Sequence, residues 1–155
     1  MPKVQTPYDA LTYKIIGLAM TVHRELGPGF PEEVYKRAMM VAMNAEIMTF
    51  DRELRIDIEF RGQKVGEFKL DFVVEHIIVV EFKAVDTLHL AHERQVISYL
   101  TASGLEVGLL INFGSSSLQH QRIFPPKAVQ SSAAFQARRN RYPQSVESGK
   151  SVDES

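Results

Sequence analysis

Residues 68–84 read Phe68-Lys69-Leu70-Asp71-Phe72-Val73-Val74-Glu75-His76-Ile77-Ile78-Val79-Val80-Glu81-Phe82-Lys83-Ala84. Two runs of β-branched and aromatic residues flank a polar break at Glu75-His76, the pattern of a β-hairpin. The second run, Ile77-Ile78-Val79-Val80, is apolar at every position and predicts a central strand covered on both faces. It leads into Glu81 and Lys83. Side chains alternate along a strand, so these two share a face while Phe82 points the other way. A charged pair at the end of a buried strand is unfavourable unless it pairs internally, meets water in a cleft, or holds a metal ion.

Asp71 supplies a third charge, from the first strand of the hairpin, at a position where aspartate is depleted. Two carboxylates with a lysine beside them suit a hard divalent cation, because Mg2+ takes oxygen ligands and keeps several waters. The lysine would then stand beside a bound water or a phosphate. A solvated salt-bridge ladder explains the same three residues without any chemistry.

Hairpin register separates the two readings. A two-residue turn at Glu75-His76 would pair Val74 with Ile77 and Asp71 with Val80, leaving Asp71 and Glu81 on opposite faces. A shared metal therefore predicts a three-residue loop, Glu75-His76-Ile77, or a β-bulge in either strand. The two carboxylates should then approach to about 3 to 6 Å, within reach of one ion.

Outward from the hairpin, residues 53–60 alternate Leu54, Ile56, Ile58 and Phe60 with Glu53, Arg55, Asp57 and Glu59, a strand with one wet face. Arg61-Gly62-Gln63-Lys64 makes the turn into the hairpin, giving a three-stranded meander. Earlier, Leu11, Ile15, Leu18, Ala19, Val22 and Leu26 mark one face of a helix, with Asp9 as its N-cap and Gly27-Pro28-Gly29 as its stop. A second helix is expected from Pro31, with Val34, Ala38, Val41, Ala42 and Ala45 as its core stripe. Glu32 and Tyr35 share one side of that helix. An acid in the first turn complements the helix dipole, and Glu33 would serve equally well. Tyr35 reads as a packing residue whose hydroxyl finds a partner.

Beyond the hairpin, a third helix is expected over residues 90–103, with Val96 and Leu100 inward and Gln95 and Tyr99 sharing a side. His89-x-x-His92-Glu93 lacks the second histidine of a zinc-binding His-Glu-x-x-His helix and reads as a solvated face. Val107-Gly108-Leu109-Leu110-Ile111-Asn112-Phe113 is a further buried strand, reached by a crossover that makes it parallel to the Glu81-Lys83 strand. Arg122-Ile123-Phe124 adds a short edge strand before Pro125-Pro126. The domain is thus expected over residues 8–126. Residues 127–155 turn to Ser, Gln and Arg and read as a largely disordered tail, with a helical stretch near 133–139 and Arg138, Arg139 and Arg141 solvated.

The formal net charge is −1, so the whole chain lacks the basic footprint usual for a nucleic-acid binder, and any such surface must be local. Cysteine is absent, which removes disulfides and thiolate zinc sites and suits a reducing cytoplasm. No stretch approaches the roughly 18 apolar residues that span a bilayer, and no signal peptide is apparent.

Asp71 followed by Glu81-Phe82-Lys83 resembles the Asp…Glu-x-Lys core of the PD-(D/E)XK nuclease superfamily. The rest of the chain resembles one branch of it, the GxxExxY proteins, whose naming motif reads here Gly29-Phe30-Pro31-Glu32-Glu33-Val34-Tyr35. Leu26-Gly27-Pro28-Gly29 leads into that motif as in the family. Gln95…Tyr99-Leu100 and Asn112-Phe113 fall where similar residues recur. Pro31 departs from the aliphatic residue expected there.

The resemblance implies an α/β fold, a mixed β-sheet flanked by helices in the PD-(D/E)XK nuclease-like arrangement. It implies Mg2+-dependent hydrolysis of phosphodiester bonds in DNA or RNA, with Mn2+ as a substitute ion. Asp71, Glu81, the Phe82 carbonyl and Glu32 would hold the metal, Lys83 would orient or activate water, and Gln95 would support the shell. Nucleic acid is the implied partner and no membrane is; oligomeric state is open, a homodimer included. The competing expectation is a catalytically silent module that keeps the fold for nucleic-acid or protein binding.

Overall fold

The computed structural model describes residues 8–145, the side chains of 140–145 excepted. The elements run α1 (Asp9–Leu26), α2 (Glu32–Ala45), β1 (Phe50–Phe60), β2 (Gln63–Val74), β3 (Ile78–Lys83), α3 (Leu90–Ser103), β4 (Val107–Asn112), β5 (Gln119–Ile123), α4 (Lys127–Gln130) and α5 (Ala133–Ser145). One sheet holds the strands in the order β1-β2-β3-β4-β5. β3 and β4 are parallel, joined through α3, and the other neighbours are antiparallel. This is the expected α/β architecture, a mixed sheet with helices on both faces.

The apolar β3 and β4 are central and almost wholly buried. On one face, Ile15, Ala19 and Val22 of α1 and Tyr35, Met39 and Met43 of α2 pack on Phe72, Val80, Phe82 and Ile111. On the other, Val96, Tyr99 and Leu100 of α3 pack on Val73, Val79 and Leu110. A strand run with no polar alternation needs two such covers, and the sequence supplies both.

Helix α2 packs Ala38 and Ala42 of the expected stripe against the core, but its most buried face is shifted from that stripe. Its buried residues are Tyr35, Met39 and Met43, while Val41 is 71% exposed. The 35/39/43 spacing is equally helical, and the unbranched methionines fill irregular gaps that the small alanines would leave open. The Tyr35 ring stacks on Phe113, centroids 4.6 Å apart. Its hydroxyl donates to the Gly27 carbonyl and accepts from the Phe30 N–H, so α2 is tied to the turn before it. Pro31 is the N-cap of α2 rather than its first residue. Asp9 likewise lies inside α1, behind the N-cap Tyr8; it is buried and pairs with Arg122 of β5.

Where a largely disordered tail is expected, the described residues form two helices, α4 (Lys127–Gln130) and α5 (Ala133–Ser145), and α5 contains the helical stretch anticipated near 133–139. Phe135 is fully buried, the Arg138 guanidinium donates to the Thr101 carbonyl, and Arg139 pairs with Glu106 at 3.1 Å. Gly104 closes α3 in the left-handed region, φ +79°, and a Cβ there would run into the backbone of Arg138 and Arg139. Only glycine allows that approach. Residues 146–155 and the side chain of Arg141 lie outside the described residues.

Candidate active site

The β2–β3 hairpin fixes the candidate site. The Ile77 N–H donates to the Val74 carbonyl at 3.0 Å, with Glu75 and His76 both at positive φ, 56° and 60°. Such a turn normally uses Asn-Gly, because a Cβ in the left-handed region costs roughly 1–2 kcal/mol per residue. Two bonds offset that strain: Glu75 N–H to the Thr49 carbonyl at 2.9 Å, and Thr49 N–H to Glu75 Oε2 at 2.8 Å. Ile77 is then an extra residue. Pairing resumes as Val74↔Ile78, Val73↔Val79 and Phe72↔Val80; Asp71 and Glu81 follow that last pair on their strands and lie close enough to interact.

Asp71 also marks a bend. Phe72 and Val74 face α1 and α2, yet Phe68 and Leu70, of the same parity, face α3. The alternation therefore breaks between Leu70 and Phe72. On β1, Glu53 has φ +58°, and the ladder passes from Arg52↔Phe72 to Leu54↔Leu70 without pairing it. Phe50 and Leu54 change faces across this point as well, so the two strands turn over together, as bulged strands do next to functional sites.

Five charged side chains converge at the bend. The Lys36 ammonium bridges Glu32 Oε2 at 2.8 Å and Asp71 Oδ2 at 2.9 Å. Lys83 Nζ stands 3.4 Å from Glu81 Oε2. The Glu81 side chain is 4% exposed, and its Oε1 is buried with no hydrogen-bond partner among the described residues. Burial first and the neighbouring Asp71 charge second push the Glu81 carboxyl up to about 8, although Lys83 pulls it down. Burial alone would lower Lys36, but its bonds to Glu32 and Asp71 win and hold it above the ordinary lysine value.

Helix α3 closes the rim. Tyr99 is pushed up to about 12, by burial first and then by the charges of Glu81 and Asp71, while its hydrogen bond with Gln95 and the charge of Lys36 oppose the rise. Tyr99 also packs edge-on against Phe68. His92, on the solvated face expected for it, also caps the start of α3: its Nδ1 accepts from the His89 N–H at 3.0 Å. Burial and the nearby Lys83 charge lower its basicity, against the pull of Glu32.

Asp71, Glu81, Lys83 and, through Lys36, Glu32 are thus assembled in one place, with Gln95 joined to it through Tyr99. The Phe82 side chain points away into the core. The two neighbouring glutamates part company: Glu33 pairs with Arg52 and Arg37, and Glu32 alone turns toward Asp71. Lys36 was not foreseen, although its spacing from Glu32 is the ordinary i,i+4 signal for an ion pair.

Two neighbouring carboxylates, close enough for one charge to raise the other, with a buried Glu81 oxygen that meets no donor among the described residues, fit a hard cation. Among the described residues, no three or more Asp, Glu or His side chains cluster as a ready metal cage. The fit is to an ion that keeps waters and rests on two carboxylates.

The sequence matches the PD-(D/E)XK nuclease superfamily over residues 9–123. The chain belongs to that superfamily. Among solved structures, one titled "Crystal structure of SSO0001" is similar in fold, with a TM-score of 0.52 at 17% identity over 92% of this chain and 70% of that one. No curated protein matches. No helix among the described residues is long and apolar enough to cross a membrane.

Proposed function

We propose that this chain is a divalent-metal-dependent nuclease of the GxxExxY branch, hydrolysing phosphodiester bonds of DNA or RNA. The observation that carries the proposal is the buried Oε1 of Glu81, which meets no donor among the described residues and faces the neighbouring Asp71 carboxyl instead. Asp71 and Glu81 would hold Mg2+, or Mn2+ in its place, with the Phe82 carbonyl as a further oxygen and Glu32 contributing directly or through water. When bound, the cation supplies positive charge beside the scissile phosphate and makes its waters more acidic.

The chain's own groups do the rest. Lys83, 16% exposed and on the face of Glu81, orients the attacking water and stabilises charge developing on the phosphate. Glu81 accepts a hydrogen bond from Lys83, and Gln95 fixes the Tyr99 hydroxyl at the rim. A cytoplasmic setting and a nucleic-acid partner belong to the same proposal.

A second reading has one observation in its favour. Lys36 satisfies Asp71 and Glu32 without any metal, as it would in a silent module that keeps the fold to bind nucleic acid or protein. Cleavage of plasmid DNA and of structured RNA in Mg2+ or Mn2+, stopped by EDTA, separates the two. Asp71→Asn, Glu81→Gln and Lys83→Ala should each abolish cleavage and leave the circular dichroism unchanged. Equal cleavage by all three variants would reject the nuclease reading.

A further inference from the structure

We propose that Lys36 is a built-in counter-cation: it holds Asp71 and Glu32 together in the metal-free protein and competes with the divalent ion for Asp71. The proposal rests on the metal-site reading above and concerns how that site is kept ready and how tightly it binds. Its basis is geometric. The Lys36 side chain is only 13% exposed, and its ammonium lies within 3 Å of a carboxylate oxygen on each side. Arg37, the next residue, is 70% exposed and reaches out to Glu33, so of these two neighbouring cations only Lys36 turns into the site.

Charge explains why such a residue is useful. Asp71, Glu32 and Glu81 would repel one another in a shared site without cations. Lys36 and Lys83 reduce the formal charge of the five groups to −1. The metal-free fold is therefore stable as it stands, but a cation arriving at Asp71 meets an ammonium already bonded to Oδ2. Coordination there requires Lys36 to give up that bond, or to remain as a positive charge a few ångströms away. Either way affinity falls, and loading needs a free ion concentration high enough to win the exchange.

The test uses the full chain stripped with EDTA and Mn2+ alone as probe, followed by electron paramagnetic resonance of free Mn2+ and by melting temperature. Lys36→Gln should bind Mn2+ about tenfold more tightly or better, since one unit charge beside a divalent ion changes affinity by that order even at water-like screening. Lys36→Arg should bind like the wild type. Arg37→Gln, the same charge change one residue away, should leave affinity unchanged. In EDTA, Lys36→Gln should melt below the wild type, with the gap closing at saturating Mn2+.

A wild type that binds no Mn2+ while Lys36→Gln does also supports the proposal. Equal affinity in the two proteins, or an equal gain in Arg37→Gln, overturns it and leaves the nuclease reading intact. No binding by either protein overturns both. If Lys36→Gln and Lys36→Met both fail to fold even in saturating Mn2+, the proposal also falls, because Lys36 would then support the fold in a way the ion cannot replace.

Discussion

Val74 pairs with Ile78 across the β2–β3 hairpin, so Ile77 belongs to the turn and Asp71 and Glu81 face the same side. Had Val74 paired with Ile77, every side chain of β3 would point the other way. Glu81 would then enter the α1–α2 side of the sheet and Phe82 the α3 side. A single inserted residue thus decides whether the two carboxylates meet.

That turn carries strain that can be relieved. His76 has φ 60°, and its closest charged partner, Asp51, is 3.8 Å away. His76→Gly should stabilise the protein by about 0.5–1 kcal/mol, the left-handed strain less glycine's greater unfolded-state entropy. Urea unfolding measures it. A loss of stability would mean that the Asp51 contact outweighs the backbone term.

Metal-free stability should depend on pH through Glu81. Its folded value, about 8, exceeds its ordinary 4.5, so the native state binds the proton more tightly than the unfolded chain does. The contribution is complete below about 4.5, declines as pH rises, and is lost through about 8. In EDTA, the melting temperature should therefore fall between pH 5 and 8. Glu81→Gln should flatten that slope. An unchanged slope would assign the dependence to other groups.

The segment after Pro126 should count in the energetics of the domain. Phe135 is fully buried, so Phe135→Ala should cost roughly 3–5 kcal/mol, read as a lowered urea midpoint. A loss below about 1 kcal/mol would make α5 a loosely attached appendage.

Much of this was legible in residues 68–84: the hairpin, the buried strand, the shared face of Glu81 and Lys83, and the need for one extra turn residue. Other features were hidden for identifiable reasons. The α2 stripe is legible only in part: Ala38 and Ala42 pack on the core, but the pattern 34/38/41/42/45 is as regularly helical as Tyr35, Met39 and Met43, and only tertiary packing chooses which face is deepest. α5 is legible as a helical stretch near 133–139 but not as part of the packed domain, because its composition is polar and a single buried phenylalanine, Phe135, anchors it. Lys36 was overlooked because a lysine four residues after a glutamate usually means a surface pair; that Asp71 lies on its other side depends on how α2 crosses the sheet. His92 reads as solvent-facing, and its second role, capping the start of α3, shows only in the fold.

The central claim is that Asp71 and Glu81 together form a divalent-cation site, and Mn2+ titration of the EDTA-stripped protein tests it most directly. Metal that binds only the native state raises its melting temperature by mass action. The wild type should show a saturable rise with Mn2+ and a smaller one with Mg2+, and Asp71→Asn should show neither. Equal shifts in the wild type and Asp71→Asn would contradict the claim, and so would no shift in the wild type, Asp71→Asn and Lys36→Gln alike.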